Sequence, residues 1–597
     1  MSPLDPKDRA HTSSWREMFF VFVAGLAVSL YAWWPMVAAY PLAQGGDGPP
    51  YQKTLEAAVV SITRYSEFPF WNAYECGGLP LWDNPQAPIG APLIWPMFFV
   101  NTTIAMAVWY ILHSAIGVVC MWRFAREELR LSPAASTASG LVWAFCGFHQ
   151  QHYSGGHVTF VPFLYFPLAW LLWRRSWESS RDAVLLGMLV AWMFYEGAVY
   201  PLPHLVLLLA SCTFTGLVAR GRRALDASFW RGFFLAAVIV SVVGVGLSAA
   251  RMLPVLDQLR SRTRPIGGET DALQWSTLRD MFLHRSHGRG VMGQAYVWPE
   301  YGAYFGPILL ALAVLGAVVG ALEAWEILVA MAVCVLLMGG HFSEYAPWHL
   351  LKGHVFPFKE MRVPSRFRAE VSMCLAAFVG IAVDRIGAKR LVPRPGHRGE
   401  TLRPIVLAIC FLGIGDMVGV GLEWFQQCFT SPALVQQKPS EHLYFGGPDM
   451  APNMSDQPRQ NRGRLGCWDE WAWGQGAPLW EGDVPQARAL TPLVVIESVS
   501  RTQNTFTLIV DAPSGGEVQL NTTYDRQWQS SVGTPQDHHA ALKIAVPPGH
   551  HAIAVRYRPR LFVAGAAIST LTLLAVCMFG IWQRRRSPAY PISQAIP

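Results

Sequence analysis

Long apolar segments recur along the whole chain, and they restrict its fold more than any other feature of the sequence. Each runs for roughly 17–25 residues, the length of helix that crosses about 30 Å of hydrocarbon. Only 15% of the residues are charged, against about a quarter in soluble domains, so one soluble core does not account for these segments. They lie near residues 18–39, 103–121, 133–148, 158–173, 183–200, 203–219, 232–249, 304–322, 325–340, 367–386, 404–423 and 561–582. We predict a polytopic α-helical membrane protein with about 12 transmembrane helices.

Basic residues indicate how these helices are oriented. They gather in the connections near 122–132, 174–182, 220–231 and 385–403, and in the tail Arg584–Arg586. Because cytoplasmic connections carry an excess of Lys and Arg, we predict that these segments and both termini face the cytoplasm. The first apolar segment is interpreted as an uncleaved helix, since it is long for a signal peptide. The net charge of +7 then reflects membrane topology and does not indicate nucleic-acid binding.

Three outward segments, 40–95, 250–303 and 424–560, are too long to be simple connections. We divide the chain into a transmembrane domain (1–424), an irregular segment (425–490), a small antiparallel β module (491–558) and a final helix with a basic tail (559–597). The β module is predicted from short alternating stretches separated by Pro- and Gly-rich turns. These stretches lie near 493–499, 505–510, 517–523, 542–546 and 552–557.

The first outward loop begins with an acid among glycines, Asp47. Glycines let the backbone turn tightly and leave a neighbouring carboxylate accessible. Such a carboxylate could act as a general base toward a hydroxyl or hold a divalent cation. The alternative is that Asp47 caps the helix that follows it.

The same loop continues with a dense mixture of aromatic, amide and acidic residues between positions 70 and 86. Aromatic rings stack on the faces of sugars, while amides and acids bind their hydroxyl groups. A structured loop at the membrane interface is the alternative. The candidate substrate-binding residues here are Trp71, Asn72, Glu75, Trp82, Asp83, Asn84 and Gln86.

Outward arginines break the charge rule in the loop 250–303 and again just before residue 367. The arginine fork suits phosphate oxygens, so these residues could hold a lipid-linked phosphate. The alternatives are contact with lipid headgroups and internal pairing with acids of the same loop, such as Asp257, Asp271 and Asp280. The candidates for binding the donor phosphate are Arg262, Arg264, Arg362 and Arg366.

Other polar residues lie at predicted outer helix ends: His149, His152, His157, Glu196, His204, Glu300 and Tyr301. The three clustered histidines could bind a metal, but their spacing defines no tetrahedral set, and capping of helix ends is favoured. Asp416 lies inside an apolar segment, where an acid usually has a partner or a role. Cys428 and Cys467 could form a disulfide if the outer compartment is oxidising.

Several motifs together resemble the YfhO family of bacterial membrane glycosyltransferases, of the GT-C class. They are an Asp in the first outward loop, Gly77-Gly78-Leu79-Pro80-Leu81-Trp82 through Asn84-Pro85-Gln86, Gly156-His157, Glu300-Tyr-Gly-Ala-Tyr-Phe-Gly306 and Phe358 through Arg362-Val-Pro-Ser-Arg366-Phe367. Near the C-terminus, Trp528, Pro547-Pro-Gly-His-His551 and Arg556-Tyr-Arg-Pro559 extend the similarity over nearly the whole chain. Cys76 and the pair Gly45-Gly46 are local details with no firm match.

The resemblance implies transfer of a sugar from a polyprenyl-phosphate carrier to an envelope glycan, lipid or protein, on the outer face of the bacterial inner membrane. It implies that Asp47 is the base activating the acceptor and that His157, Arg362 and Arg366 are site residues. Inversion at the anomeric carbon is expected, and a divalent cation (Mg or Mn) could assist. A transporter or flippase of a lipid-linked or small polar substrate is the alternative, as is a non-catalytic envelope assembly protein.

Overall fold

The computed structural model of the chain describes residues 14–39, 45–262, 271–285, 291, 293–389, 401–429, 439–446, 457–468 and 476–586. The described α-helices are α1 (Trp15–Ala38), α2 (Gly48–Tyr65), α3 (Thr102–Glu127), α4 (Pro133–Phe145), α5 (Gly147–Ser154), α6 (Phe166–Ser176), α7 (Ser180–Tyr195), α8 (Pro201–Arg220), α9 (Ala227–Ser261), α10 (Trp275–Leu283), α11 (Gly306–Val319), α12 (Trp325–Met338), α13 (Pro347–His354), α14 (Arg368–Gly387), α15 (Arg403–Gln427) and α16 (Phe562–Arg586). The described β-strands are β1 (Trp71–Asn72), β2 (Leu79–Pro80), β3 (Tyr444–Gly446), β4 (Arg462–Arg464), β5 (Ala487–Ala489), β6 (Val495–Arg501), β7 (Thr505–Ala512), β8 (Gly516–Thr523), β9 (Trp528–Ser530), β10 (Thr534–His538), β11 (Ala541–Val546) and β12 (Gly549–Tyr557).

Six of the described helices are long and apolar enough to cross a membrane by length and composition: α1, α3, α8, α9, α15 and α16. Two further apolar helices, α11 and α12, are shorter. Large apolar side chains such as Phe214, Val242 and Leu571 are exposed on these long helices, as expected for surfaces that contact lipid. The chain is mainly helical and carries helices suited to a membrane, and the count of 12 spans stays a prediction.

The long helices pack on one another in an arrangement that mixes early and late parts of the chain. α1 packs against α3 and α15, while α14 packs against α4 and α11. α9 packs against α7 and against the last helix, α16. Distant segments are therefore held side by side, which allows a site to be assembled from residues far apart in sequence.

Two of the predicted spans are interrupted, and the interruptions change their bounds. The span predicted at 133–148 ends at Phe145, because Cys146 is extended and α5 begins at Gly147. A Cβ atom on Gly147 would lie 2.0 Å from the backbone nitrogen of Tyr304, so only glycine fits this approach. The span predicted at 158–173 starts as a 3₁₀ helix, Val158–Tyr165, that contains Pro162. Proline lacks the N–H that a regular α-helix needs at an interior position.

A helix after Asp47 was considered only as the alternative in which Asp47 caps it, and residues 40–95 were otherwise interpreted as a loop; the structure has helix α2 there. It is amphipathic and buries the face that carries Tyr51, Leu55 and Val59. Its charged residues Lys53 and Glu56 are also buried, which hides the apolar pattern that would mark a packed helix.

The β-rich region near the C-terminus contains two four-stranded sheets, with strand orders β10-β11-β8-β5 and β6-β7-β12-β9. The pairings within both sheets are antiparallel. Apolar side chains alternate along the strands, so that Phe506, Leu508 and Val510 of β7 and Leu542 and Ile544 of β11 are buried in the common core. Strands overlap each of the five stretches predicted from the sequence. The segment predicted to be irregular, 425–490, contains the short strands β3, β4 and β5.

The β-rich region is attached to the first loop by side-chain hydrogen bonds. The backbone N–H of Trp71 donates to Asn504 Oδ1 over 2.9 Å, and the hydroxyl of Thr502 donates to Glu67 over 2.7 Å. The hydroxyl of Tyr557 donates to Asp83 over 2.9 Å. The first loop and the C-terminal strands therefore form one continuous structure beside the helices.

The disulfide pairs Cys76 with Cys467, so the pairing of Cys428 with Cys467 raised from the sequence is wrong. Cys428 is a free thiol near the end of α15. The backbone N–H of Arg464 donates to the carbonyl of Tyr74 over 3.1 Å, and the Arg464 guanidinium pairs with Glu75. These contacts carry Cys467 to Cys76 and away from Cys428.

Replacing Cys76 with Ser is expected to destabilise the protein, whereas replacing Cys428 with Ser is expected to have little effect. A disulfide contributes about 2–4 kcal/mol in typical cases, chiefly by restricting the unfolded chain. Thermal unfolding of both variants in detergent, with and without reductant, measures the difference. An equal loss in the two variants would contradict the assignment of the Cys76–Cys467 pair.

Candidate functional site

Side chains from distant parts of the chain converge on one cavity of about 160 Å³. Asp47 lies directly before α2, His157 follows α5, and Arg366 lies in a 3₁₀ turn before α14. The described lining comprises Asp47, Tyr51, Gln86, His157, Thr159, Phe160, Tyr200, Arg362, Arg366 and Trp468. The structure therefore brings together five of the predicted site residues: Asp47, Gln86, His157, Arg362 and Arg366.

Asp47 stands at the capping position of α2 but does not cap it. A capping side chain accepts a hydrogen bond from the backbone N–H of the second or third helical residue. In α2 these residues are Pro49 and Pro50, which have no N–H. The carboxylate instead accepts a hydrogen bond from His157, with 2.7 Å between Asp47 Oδ2 and His157 Nε2.

Two glycines before His157 allow the histidine segment to approach Asp47 closely. Gly156 has a φ of +83°, and a Cβ atom there would lie 2.2 Å from the backbone nitrogen of Gly48. The backbone N–H of Asp47 donates to the carbonyl of Gly155 over 2.9 Å. Any larger residue at position 156 would separate the carboxylate from the imidazole.

The carboxyl group of Asp47 is held in its ionised form. Burial tends to raise the pKa of this carboxyl, but the hydrogen bond from His157 acts in the opposite direction, and the pKa lies below its usual value. A carboxylate that is already ionised can accept a proton from a hydroxyl group without first losing one.

In the described part of the chain, three acid–histidine pairs have both side chains at least half-buried. These three pairs differ in the exposed fraction of their side chains. The pairs His113–Glu196 and His204–Glu370 are at most 1% exposed. In the third pair the Asp47 side chain is 40% exposed and that of His157 is 14% exposed. The Asp47–His157 pair is therefore the one among these that a dissolved molecule can reach.

The cavity lining contains two arginines, Arg362 and Arg366. Arg366 forms a bidentate ion pair with Glu300, with 2.8 Å between Arg366 Nε and Glu300 Oε2. Its guanidinium also lies 4.2 Å from the ring centroid of Tyr200. Burial tends to raise the pKa of Glu300, but the charge and hydrogen bonds of Arg366 outweigh it and lower the pKa to about 2. The charge of Arg366 is thus largely neutralised, while Arg362 brings a second cation to the lining.

Aromatic rings close the other side of the cavity. Tyr51 lies one helical turn after Asp47 and packs edge-to-face on Trp468, with 5.3 Å between ring centroids. The backbone N–H of Trp468 donates to Glu75 over 3.0 Å, next to the Cys76–Cys467 disulfide. The position of Trp468 in the cavity wall therefore depends on the first loop.

The arrangement can remove a proton from a hydroxyl group beside a cationic region suited to an anionic leaving group. It does not fit a metal centre, since the described residues contain no group of three His, Cys, Asp or Glu side chains placed to hold a metal ion. The nearby acid Glu300 is taken by Arg366. The three histidines, for which the sequence favoured capping of helix ends over metal binding, form no such group among the described residues.

The other candidates of the first loop lie outside the cavity and bind neighbouring parts of the protein. Trp71 packs against Tyr557, with 4.5 Å between ring centroids, and Asn72 accepts a hydrogen bond from the backbone of Tyr74. Trp82 donates to the carbonyl of Ala250. Asn84 supports the cavity indirectly, because its side chain accepts from the backbone N–H of Gln86 over 2.9 Å.

The acid Glu75 belongs to a buried cluster with Lys53 and Arg464. Burial outweighs the attraction of Glu75 and lowers the pKa of Lys53 to about 8. The two cations together overcome the effect of burial on Glu75 and lower its pKa. These contacts hold α2, the first loop and β4 together.

The remaining candidates are engaged elsewhere. Tyr301 donates to Asp271 over 2.9 Å, and Arg262 pairs with Asp525 over 3.2 Å. Arg264 lies outside the described residues. Asp416, whose partner could not be named from the sequence, pairs with Arg285 and accepts a hydrogen bond from Tyr304, each over 2.7 Å.

Asp83 gives a pH-dependent expectation for stability. Burial and then the neighbouring Asp525 raise the pKa of its carboxyl to about 7. The folded state thus holds a proton that the unfolded state releases at lower pH, so this contribution to stability is complete below about pH 4 and is lost as the pH rises through 7. Replacing Asp83 with Asn is expected to flatten the fall in unfolding midpoint between these pH values. An unchanged pH profile in this variant would refute the expectation.

Several residues of the site were not predicted: Tyr51, Thr159, Phe160, Tyr200 and Trp468. Tyr51 could have been found, because residues four apart lie on one helical face and Asp47 directly precedes a helix. Trp468 could not, since its place depends on a disulfide between distant cysteines.

No family model matches the chain, and no curated protein matches it at a significant level.

Proposed function

We propose that this protein is a GT-C-type membrane glycosyltransferase, which transfers a sugar from a polyprenyl-phosphate donor to a cell-envelope acceptor with inversion. The proposal is carried by one observation: an ionised carboxylate with a hydrogen-bonded histidine, Asp47–His157, lines a cavity that also contains Arg362 and Arg366. This combination supplies a base for an acceptor and cations for a phosphate in the same place. It is also the arrangement that the resemblance to the YfhO family implies.

The reaction follows from these parts. The acceptor hydroxyl oxygen forms a bond to the anomeric carbon, and its proton passes to Asp47. On the opposite face the bond between the anomeric carbon and the phosphate oxygen breaks, and its electron pair leaves with the polyprenyl phosphate. Attack and departure on opposite faces invert the anomeric carbon, as in inverting glycoside chemistry.

Arg362 is assigned to the departing phosphate because it lines the same cavity as Asp47 and His157. Arg366 is already paired with Glu300 in a nearly buried bidentate contact, and removing Glu300 from it would leave an uncompensated charge. We assign Arg366 the task of shaping the cavity through its contacts with Tyr200 and Phe160. Gln86 and the rings of Tyr51 and Trp468 line the remaining wall, where amide and aromatic groups suit a sugar.

The membrane topology belongs to the same proposal. The segments predicted to span the membrane each overlap one of the helices α1, α3, α4, α6, α7, α8, α9, α11, α12, α14, α15 and α16. We propose that all of them lie at membrane depth, with both termini in the cytoplasm and the cavity on the outer face. Short helices such as α4 and α6 are supported by neighbouring helices instead of crossing alone.

The test is sugar transfer by the purified full-length protein in detergent or nanodiscs. It uses a panel of polyprenyl-phosphate sugars and a mixture of envelope glycans and lipids as acceptors. Release of polyprenyl phosphate together with a glycosylated product supports the proposal. A matched assay in sealed vesicles measures movement of the same lipid-linked sugars between leaflets. Movement without transfer would support a flippase and overturn the enzyme.

A further inference from the structure

Behind the Asp47–His157 pair runs a line of hydrogen bonds to a buried arginine. His157 Nδ1 lies 2.7 Å from His152 Nδ1, and His152 Nε2 lies 2.8 Å from Arg368 Nη2. His152 is fully buried and stacks on Phe160. Arg368 is also fully buried, at the first residue of α14. Neither residue lines the cavity, and the proposed reaction does not use either of them directly.

The bonds of Arg368 fix the direction of this line. A guanidinium has five N–H donors and no acceptor. Four of its contacts are to the backbone carbonyls of Pro299, Glu300, Gly302 and Ser365. The fifth is to His152 Nε2. Because Arg368 can only donate, His152 Nε2 must accept and therefore carries no proton.

The remaining protons follow in order. A neutral His152 without a proton on Nε2 carries it on Nδ1 and donates it to His157 Nδ1. His157 then has no proton on Nδ1, carries its proton on Nε2 and donates it to Asp47 Oδ2. If His157 carried a second proton, that proton would lie between Nδ1 of His157 and Nδ1 of His152. His152 would then carry its own proton on Nε2, where it would face an N–H of Arg368. Burial, and then the charge of Arg368, hold the pKa of His152 well below its usual value, in agreement with a neutral ring.

We propose that Arg368 and His152 are positioning residues, which lock His157 as a neutral imidazole with its proton on Nε2. The catalytic meaning of this lock rests on the proposed function, whereas the proton arrangement itself does not. All N–H groups of the line point from Arg368 toward Asp47. A proton that Asp47 takes from an acceptor therefore cannot pass inward, since the inner end of the line accepts none, and it must leave through the cavity.

The lock also determines what His157 does. A neutral His157 holds Asp47 by one N–H, through Oδ2 of the carboxylate. It does not serve as a general acid, because the proton on Nε2 is its only one. Asp47 then acts alone as the base, with His157 fixing its orientation.

The direct test is nitrogen-15 NMR of the full-length protein labelled at histidine, in detergent micelles or nanodiscs at neutral pH. The His157→Gln variant serves only to assign the His157 signals. The expected result is a neutral His157 protonated on Nε2 and a neutral His152 protonated on Nδ1. A His157 protonated on Nδ1, or on both nitrogens, would overturn the inference whatever the activity.

Two substitutions at position 152 test the consequence for catalysis. His152→Phe keeps a ring against Phe160 and Phe148 but removes the donor to His157, and we expect kcat to fall by about 10²-fold with little change in KM. His152→Asn keeps an amide N–H near the position of Nδ1 and is expected to recover most of this loss. Equal activity in wild type and His152→Phe would contradict the positioning role.

The inference and the proposed function fail separately. If NMR shows the expected tautomers while no sugar is transferred in any assay, the proton lock stands and the glycosyltransferase is refuted. If transfer occurs but His157 carries two protons, the enzyme stands and the lock is refuted. The tautomers themselves are measured on the wild-type protein, and the His157→Gln variant is needed only for the assignment.

Discussion

Replacing Asp47 with Asn is expected to reduce the rate of sugar transfer by about 10²- to 10⁴-fold, the contribution typical of a positioned general base. The amide has nearly the shape of the carboxylate, and its oxygen can still accept the N–H of His157, which lies 2.7 Å from the Asp47 carboxylate in the wild type. It cannot take up a proton from the acceptor hydroxyl. The loss should therefore appear mainly in kcat, while binding of the donor changes little.

A matched control is Asp182→Asn, which makes the same chemical change in the first turn of α7, away from the cavity lining. This variant should keep wild-type activity and expression. The unfolding midpoint of Asp47→Asn should stay close to that of the wild type, because the substitution keeps the hydrogen bond and Asp47 caps no helix. Full activity of Asp47→Asn would remove Asp47 as the base.

Replacing Glu300 with Gln is expected to cost roughly 3–5 kcal/mol of stability, because it leaves the guanidinium of Arg366 buried without a counter-charge. Arg366 and Glu300 are only 7% and 12% exposed, and water cannot readily replace the lost carboxylate. Glu300 has a second task, since its backbone carbonyl accepts from Arg368 over 2.6 Å. The substitution leaves that carbonyl in place, so the effect reports on the side-chain pair.

The double variant Glu300→Gln with Arg366→Gln should be more stable than Glu300→Gln alone, because it removes both charges. Unfolding midpoints of the wild type, both single variants and the double variant form a cycle that isolates the interaction. Glu517→Gln breaks a more exposed ion pair with Lys543 and should cost no more than about 1 kcal/mol. Equal losses in Glu300→Gln and Glu517→Gln would refute the role of burial.

The same pair has a defined response to acid. The pKa of Glu300 is lowered to about 2, below the value of an unfolded glutamate. Its contribution to stability is therefore complete above about pH 4.3 and is lost only as the pH falls toward 2. Acid unfolding at higher pH would have to originate elsewhere.

The sequence was sufficient for the helical class and for five residues that line the candidate cavity. Apolar segment length located the long helices, since the hydrocarbon thickness sets that length physically. The sequence identified Asp47 as either a base or a helix cap, and the residues Gly48-Pro49-Pro50 that follow it argue against the cap. Two prolines at the start of a helix offer no N–H to cap, so the carboxylate must find another partner.

Other parts of the site could not be read from local patterns. The loop 70–86 has the composition of a sugar site, yet of its candidates Gln86 alone lines the cavity. Several of the others are held by partners hundreds of residues away, as Trp71 is by Asn504 and Glu75 by Arg464. Composition describes what a side chain can bind, but only long-range packing decides which partner it meets.

Helix α2 shows a related difficulty. Its buried face includes Lys53 and Glu56, whose charges are compensated by Glu75 and Arg459. A helix that buries paired charges does not have the apolar stripe by which helices are recognised. The arginines that were predicted to face outward behave similarly, because Arg262 and Arg366 are neutralised by acids that the sequence places far away.

The bond between Cys76 and Cys467 also sets an order of events during synthesis. The two cysteines are 391 residues apart, so at about 5–20 residues per second the ribosome needs roughly 20–80 s to make the second after the first. During this interval the thiol of Cys76 waits without its partner, and Trp468 is not yet available to complete the cavity wall. The cavity wall is thus completed only after residue 468, more than three-quarters of the way along the sequence, has been made.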